Sequence, residues 1–105
     1  MAKLPVFEGI LLDESITYTL YELTQMGNIS EAIIIEMHEH GIIEPQGETQ
    51  DKWIFTSRSV IRFKKAMRLH HDLDINWAGI SLVLDLIEQR DELHHRLMHI
   101  KDETN

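Results

Sequence analysis

The side chains able to do chemistry in this chain are histidines and carboxylates: seven His and eighteen Asp or Glu, with no cysteine. His95 and His99 stand four apart with Asp91 one turn earlier, a spacing at which one helix face offers ligands to a metal. No fourth ligand accompanies them, so a solvated helix face carrying neutral histidines is the better reading. His38 and His40 are two apart and leave a helix on different sides, which prevents chelation from a regular helix. His70 and His71 adjoin Asp72 and read as helix C-terminal residues that suit the local dipole. Trp53 and Trp77 read as core or interface anchors. The absence of cysteine excludes disulfides and thiolate metal centres. No nucleophile–base–orienter set and no glycine-rich phosphate loop is present. The expectation is a protein that is not an enzyme and holds no metal or cofactor.

Charge is strongly segregated along the 105 residues, whose formal net charge is −8. Residues 1–51 hold ten acids and one base, Lys3, for −9. Residues 52–71 hold Lys52, Arg58, Arg62, Lys64, Lys65 and Arg68 and no acid, for +6; residues 72–105 return to −5. Arg58, Arg62, Lys65 and Arg68 fall at helical spacing and predict one exposed stripe, either solvated or facing the acidic parts of a dimer partner. No run is long enough to span a membrane. Lys3 is followed by apolar residues, but Pro5 and Glu8 interrupt them and no small-residue cleavage site follows, so a cytoplasmic location is expected.

The elements that must position these residues centre on the stretch from Ile29 to Phe55. Ser30 is placed to cap a helix by accepting from a free backbone N–H. Ala32, Ile33, Ile34, Ile35 and Met37 supply its apolar content, and Gly41 stops it in the left-handed C′ geometry. Pro45 pushes Glu44 toward an extended conformation. Ile42-Ile43 and Trp53-Ile54-Phe55 flank a Gly47-containing turn and are expected to pair as a hairpin. Residues 1–14 form an apolar-containing N-terminal extension, expected as coil; residues 15–105 are expected as one domain. Ser15 to Thr19 reads as a short strand. Thr19 and Glu22 have the spacing of a capping box ahead of a helix from Leu20 to about Met26. Two short helices joined at Gly27-Asn28 make a helix-turn-helix. Thr56 or Ser57 caps a third helix to about Leu73, with an apolar line through Val60, Phe63 and Met67. Asn76 caps a last helix, Trp77 to about Lys101. Leu86, Leu93, Leu97 and Ile100 keep coiled-coil spacing on it, with Arg90 in the one polar slot.

These features carry a resemblance. Thr19-x-x-Glu22-Leu23, Ile29-Ser30, Gly41-Ile42-Ile43-x-Pro45, Phe55 and the long final helix resemble the MerR-type winged helix-turn-helix. Trp53-x-Phe55, Arg68-Leu69-x-x-x-Leu73 and Asn76-Trp77-x-Gly79-Ile80 are most similar to the chaperone-modulatory CbpM family within it. The resemblance covers roughly residues 15–100. It implies a mainly α fold: a MerR-like winged helix-turn-helix with a small β wing and a long C-terminal helix. It also implies a modulator that binds the J-domain of a DnaJ-like (CbpA-type) co-chaperone and inhibits its co-chaperone and DNA-binding activity. The alternative is a MerR-type DNA-binding transcriptional regulator.

Departures from the DNA-binding members argue against that alternative. Those proteins carry Arg-Tyr-Tyr-Glu where this chain has Ile35-Glu36-Met37-His38. They carry arginine after the proline and ahead of the wing aromatic, where this chain has Gln46 and Trp53. Three DNA contacts are missing, and Glu36 and Glu39 add repulsion toward phosphate. Specific DNA binding is therefore not expected. Family members' J-domain partners present a basic helix, which makes Glu31, Ile35, Glu36 and Glu39 the expected partner-binding residues. Leu86, Leu93, Leu97 and Ile100 are the expected seam of a homodimer.

Overall fold

The structure is a computed structural model that describes the backbone of residues 6–7, 10–11 and 15–103 and the side chains of 15–100. Among the described residues the fold is mainly α, with four helices and short strands. Strand β1 (Val6–Phe7) pairs antiparallel with β2 (Ile10–Leu11), and β3 (Thr17–Thr19) leads directly into α1 (Leu20–Gly27). Then follow α2 (Glu31–Glu39), a short 3-10 turn (Gln50–Lys52), β4 (Ile54–Thr56), α3 (Ser57–Leu73) and α4 (Trp77–Glu103). The coil expected before Ser15 is thus replaced in part by the β1–β2 pair; the rest of that segment lies outside the described residues.

Helix boundaries follow the local chemistry. Thr19 and Glu22 form the reciprocal capping box: the Glu22 N–H donates to Thr19 Oγ1 at 3.1 Å, and the Thr19 N–H donates to Glu22 Oε1 at 3.1 Å. Asn28 closes α1 in the left-handed region at φ 51°. The second helix ends at His40, and Gly41 follows at φ 74°, where a side chain would be strained. Thr56 Oγ1 accepts from the Ser59 N–H, and Asn76 Oδ1 accepts from the Gly79 N–H at 2.8 Å. Ser30 departs from its expected role. It occupies the N-cap position with extended backbone, but its hydroxyl makes no cap hydrogen bond. Ser30 is exposed, so the open N–H groups of that first turn face water.

The wing is built differently from the expected hairpin. Ile42 and Ile43 do not pair with Trp53 to Phe55; both are buried in the core at 0% and 1% exposure. Two consecutive residues cannot both point inward from a regular strand, whose side chains alternate between faces. Pro45 also lacks the N–H a ladder would need. A single bridge remains, with Gln46 and Ile54 exchanging both backbone hydrogen bonds at 2.9 Å. The main partner of β4 is β3, in the register Thr17↔Thr56, Tyr18↔Phe55, Thr19↔Ile54. That pairing joins the start of the helix-turn-helix to the start of α3.

One core unites these elements: Leu23 from α1, Ile34 and Met37 from α2, Phe55 from β4, Phe63 from α3, and Ile80 and Leu84 from α4. The helix-turn-helix packs on α3 so closely that a methyl group on Gly27 would sit 2.7 Å from Phe63 Cζ. Arg62, expected on an exposed stripe, is instead turned against the body. Its Nε donates to the Ile42 carbonyl at 2.7 Å, and its guanidinium meets Glu88 and Asp85 of α4. Ser81 Oγ adds a second tie, donating to the His40 carbonyl at 2.6 Å.

Alanine is normally the better helix residue by roughly 1 kcal/mol. At Gly27 the contact with the buried Phe63 ring reverses the sign. Gly27→Ala is expected to destabilise the fold by about 1–3 kcal/mol, the usual cost of overpacking a core. Urea denaturation checks this; an unchanged or raised midpoint would show that α1 shifts freely on α3.

Candidate functional site: an acidic helix face and a bare apolar seam

Helix α2 divides its residues between core and solvent. Ile34 and Met37 are buried, Ile33 and Ile35 are half-buried, and Glu31, Glu36 and Glu39 are exposed. Glu31, Ile35 and Glu39 follow at four-residue steps and form one row along the outward surface. Glu36 lies beside that row, about 100° around the helix from Ile35. The structure therefore brings the four expected partner-binding residues to the solvent side of a single helix. Exposed carboxylates around a half-buried isoleucine make a surface suited to a partner that offers positive charge and some apolar area.

Two acids not anticipated at this face come from the wing. A groove of ≈ 760 Å³ separates the start of α2 from the wing turn, lined by Leu20, Glu31, Glu48, Thr49, Gln50, Asp51 and Trp53. The 3-10 turn at Gln50–Lys52 brings Glu48 and Asp51 across from Glu31. The acid count before residue 52 contained the signal, but only the turn decides which helix those acids face. Trp53 stands edge-on to His38 with ring centroids 5.1 Å apart, and edge-on to Phe55 at 6.1 Å. His38 Nδ1 contacts the Ile43 carbonyl at 3.2 Å. Trp53 is thus a packing anchor holding the wing to α2, and Gln46 is engaged through its backbone in the β-bridge. At the three positions where DNA-binding relatives use arginine, this chain places a half-buried isoleucine, a neutral amide and a packed indole.

The second surface is the far side of α4. Trp77, Ile80 and Leu84 are buried against the body, whereas every described side chain from Asp85 to Ile100 is exposed. Leu86, Leu93, Leu97 and Ile100 are 55%, 64%, 63% and 56% exposed. Leu82, 61% exposed, continues the row one turn toward the body. Helix α4 runs unbroken to Glu103. Its 27 residues span about 40 Å at 1.5 Å per residue. Arg96 pairs with Glu92 of its own helix at 2.6 Å.

The remaining candidates resolve into structure. His70 stacks on Trp77 with ring centroids 4.3 Å apart, and its Nδ1 contacts the Ile75 carbonyl at 2.8 Å, which fixes the α3–α4 connector. His71 contacts Asp72 at 3.1 Å. Among the described residues no group of three or more His, Asp or Glu is arranged to hold a metal ion, and no helix is long and apolar enough to cross a membrane.

Comparison with known proteins agrees with this arrangement. Residues 18–102 match the family described as MerR HTH family regulatory protein. A chaperone modulatory protein CbpM of Pseudomonas entomophila is 39% identical over 71 residues, covering 68% of this chain and 70% of the relative. One from Coxiella burnetii is 37% identical over 92 residues, covering 88% and 87%. One from Pseudomonas putida is 35% identical over 71 residues, covering 68% and 70%. These names describe a regulatory role rather than an enzymatic one. The winged helix-turn-helix architecture, the matched span and the identity to these relatives place the chain in the chaperone-modulatory CbpM family of MerR-type proteins.

Proposed function

We propose that this chain binds the J-domain of a DnaJ-like, CbpA-type co-chaperone through the outward face of α2 and inhibits its co-chaperone and DNA-binding activity. The observation that carries this reading is the exposed row Glu31, Ile35, Glu39 with Glu36 beside it, on the helix that DNA-binding relatives use to read bases. A basic J-domain helix laid on that row would meet carboxylates and one apolar patch. Complementary charge raises the association rate and selectivity, while the apolar area mainly sets dissociation. In this reading the protein works in the cytoplasm beside its partner, and residues 15–105 form the working domain.

The same reading makes the protein a homodimer through α4. A row of leucines left in water costs roughly 25 cal/mol for each Å² of apolar surface. Antiparallel pairing of two α4 helices would cover Leu86, Leu93, Leu97 and Ile100. It would also bring Arg90 and Arg96 near Glu88, Asp91 or Glu92 of the second copy, which helps set register.

Glu36→Lys combined with Glu39→Lys is expected to weaken J-domain binding by calorimetry while leaving the circular dichroism spectrum unchanged. Exposed substitutions of this kind usually shift stability by less than about 0.5 kcal/mol. Binding equal to wild type in a folded variant would move the interface to another element.

The transcription-regulator alternative makes the opposite forecast for DNA. The wild-type protein is expected to give no sequence-specific footprint at about 150 mM salt, where weak phosphate-only contacts are largely lost. A protected promoter site under those conditions would sink the chaperone-modulator reading as the sole function.

Leu93→Asp with Leu97→Asp places charges in the seam and is expected to give monomers that keep the helix-turn-helix. Light scattering decides. A wild-type mass near 12.3 kDa, or a double variant with an undiminished dimer mass, would show that α4 is not the self-association surface.

A further inference from the structure

The groove between the start of α2 and the wing has apolar walls as well as acidic ones. Its ≈ 760 Å³ opening adjoins a second of ≈ 520 Å³. Leu20, Glu31, Asp51 and Trp53 line both, so the two run together, and the second adds Tyr21 and Ile54. Tyr21 is 67% exposed, while its helix turns Leu20, Leu23 and Thr24 into the body. Trp53 is half-buried; it packs edge-on against His38 and Phe55 and still borders the groove. Three carboxylates, Glu31, Glu48 and Asp51, stand along the same walls against one cation, Lys52.

Aromatic and aliphatic walls that carry carboxylates fit a long cationic side chain. Lysine and arginine lay their methylene stems on apolar surface and keep the charged head with counter-charge and water. A tyrosine or tryptophan ring face attracts the same head. An acidic occupant would meet like charge, and a purely apolar one would cover the carboxylates without pairing them. We propose that this groove holds a lysine or arginine side chain projecting from the basic helix of the J-domain partner, which makes the wing a part of the recognition surface.

This role of the groove rests on the J-domain reading given above. Glu31 belongs both to the outward row of α2 and to the groove, so one surface runs into the other. The two parts ask different things of a partner. The row on α2 rewards positive charge along a helix, whereas the groove rewards one basic side chain with an apolar stem at a defined place. The groove thereby adds selectivity among basic helices.

The test is calorimetry of the full chain with the J-domain. Tyr21→Ala is expected to weaken binding about fivefold or more, as truncating an aromatic interface anchor does. Tyr21→Phe keeps the ring and should match wild type. Glu48→Gln with Asp51→Asn removes the partners of the cationic head and is expected to cost about tenfold. Asp72→Asn with Asp91→Asn lowers the negative charge equally but away from the groove, and should bind as wild type. All the substituted side chains are exposed, so helical circular dichroism should be kept. Wild-type affinity in either Tyr21→Ala or the Glu48–Asp51 variant overturns the groove, as does an equal loss in the Asp72–Asp91 control. If Glu36→Lys with Glu39→Lys still weakens binding in that case, the α2 reading stands without the groove. A wild-type chain that binds no J-domain overturns both. Loss in the groove variants alone keeps the groove and moves the rest of the contact off α2. Should a variant unfold, nuclear magnetic resonance of the wild-type chain decides: the Trp53 indole N–H should shift on adding the J-domain, and an unmoved Trp53 signal in the bound state overturns the proposal.

Discussion

A single guanidinium ties the helix-turn-helix lobe to the projecting helix. Arg62 reaches from the middle of α3 to the Ile42 carbonyl just past α2, and to Asp85 and Glu88 on α4. The acidic ends of this contact are 58% and 47% exposed, so solvent screens them and the ion pairs themselves contribute little, about 0–1 kcal/mol. The bond to the Ile42 carbonyl matters more. That carbonyl belongs to a buried residue, and a charged donor satisfies it where no ladder partner exists. Ser81 Oγ adds a bond to the His40 carbonyl at a more exposed position. Together they answer the open carbonyls beyond the end of α2 with donors from α3 and α4, which fixes how the acidic helix sits on the rest of the molecule.

That fixed seat gives the charge segregation its geometry. Burying Ile34 and Met37 forces the glutamates of α2 outward, and burying Ile42 and Ile43 sends the chain around into the wing turn that carries Glu48 and Asp51. On the opposite side, Phe63 and Ala66 are buried, which leaves Arg58 and Arg68 on the outer surface of α3. The fold therefore presents acid on the helix-turn-helix and wing and base on α3. The fold family fixes the shape. The sign of the charge on α2 bears on what can dock there, since one backbone architecture serves many partners.

The final helix shows the same division of labour along one element. Its first half buries Trp77, Ile80 and Leu84 and is held by tertiary contacts. In its second half every described side chain is exposed, and Leu93, Leu97 and Ile100 form an apolar row that faces outward. Isolated helical segments of that length are marginal in water. The Glu92–Arg96 pair and good intrinsic formers support it locally, by a few tenths of a kcal/mol per pair.

Much of this was legible in the residues themselves. Thr19 with Glu22, Asn76, Thr56 and Gly41 act through chemistry that lies within a few positions, and each sets a helix boundary as its spacing implied. The apolar periodicity of α3 and α4 located the core, and the missing arginines at Ile35, Gln46 and Trp53 set the chain apart from DNA readers. Three features needed the tertiary structure. Ile42-Ile43 has the composition of a strand, yet the core needed both side chains, so β4 paired with β3 instead. Arg62 has the spacing of a solvated cation, yet an open carbonyl 20 residues away drew it inward. Glu48 and Asp51 are ordinary turn residues in sequence, and only the fold sets them opposite Glu31. Local hydrogen bonding and periodicity act over one or two turns and can be read along the chain. Which distant segment satisfies a buried polar group is decided by three-dimensional packing alone.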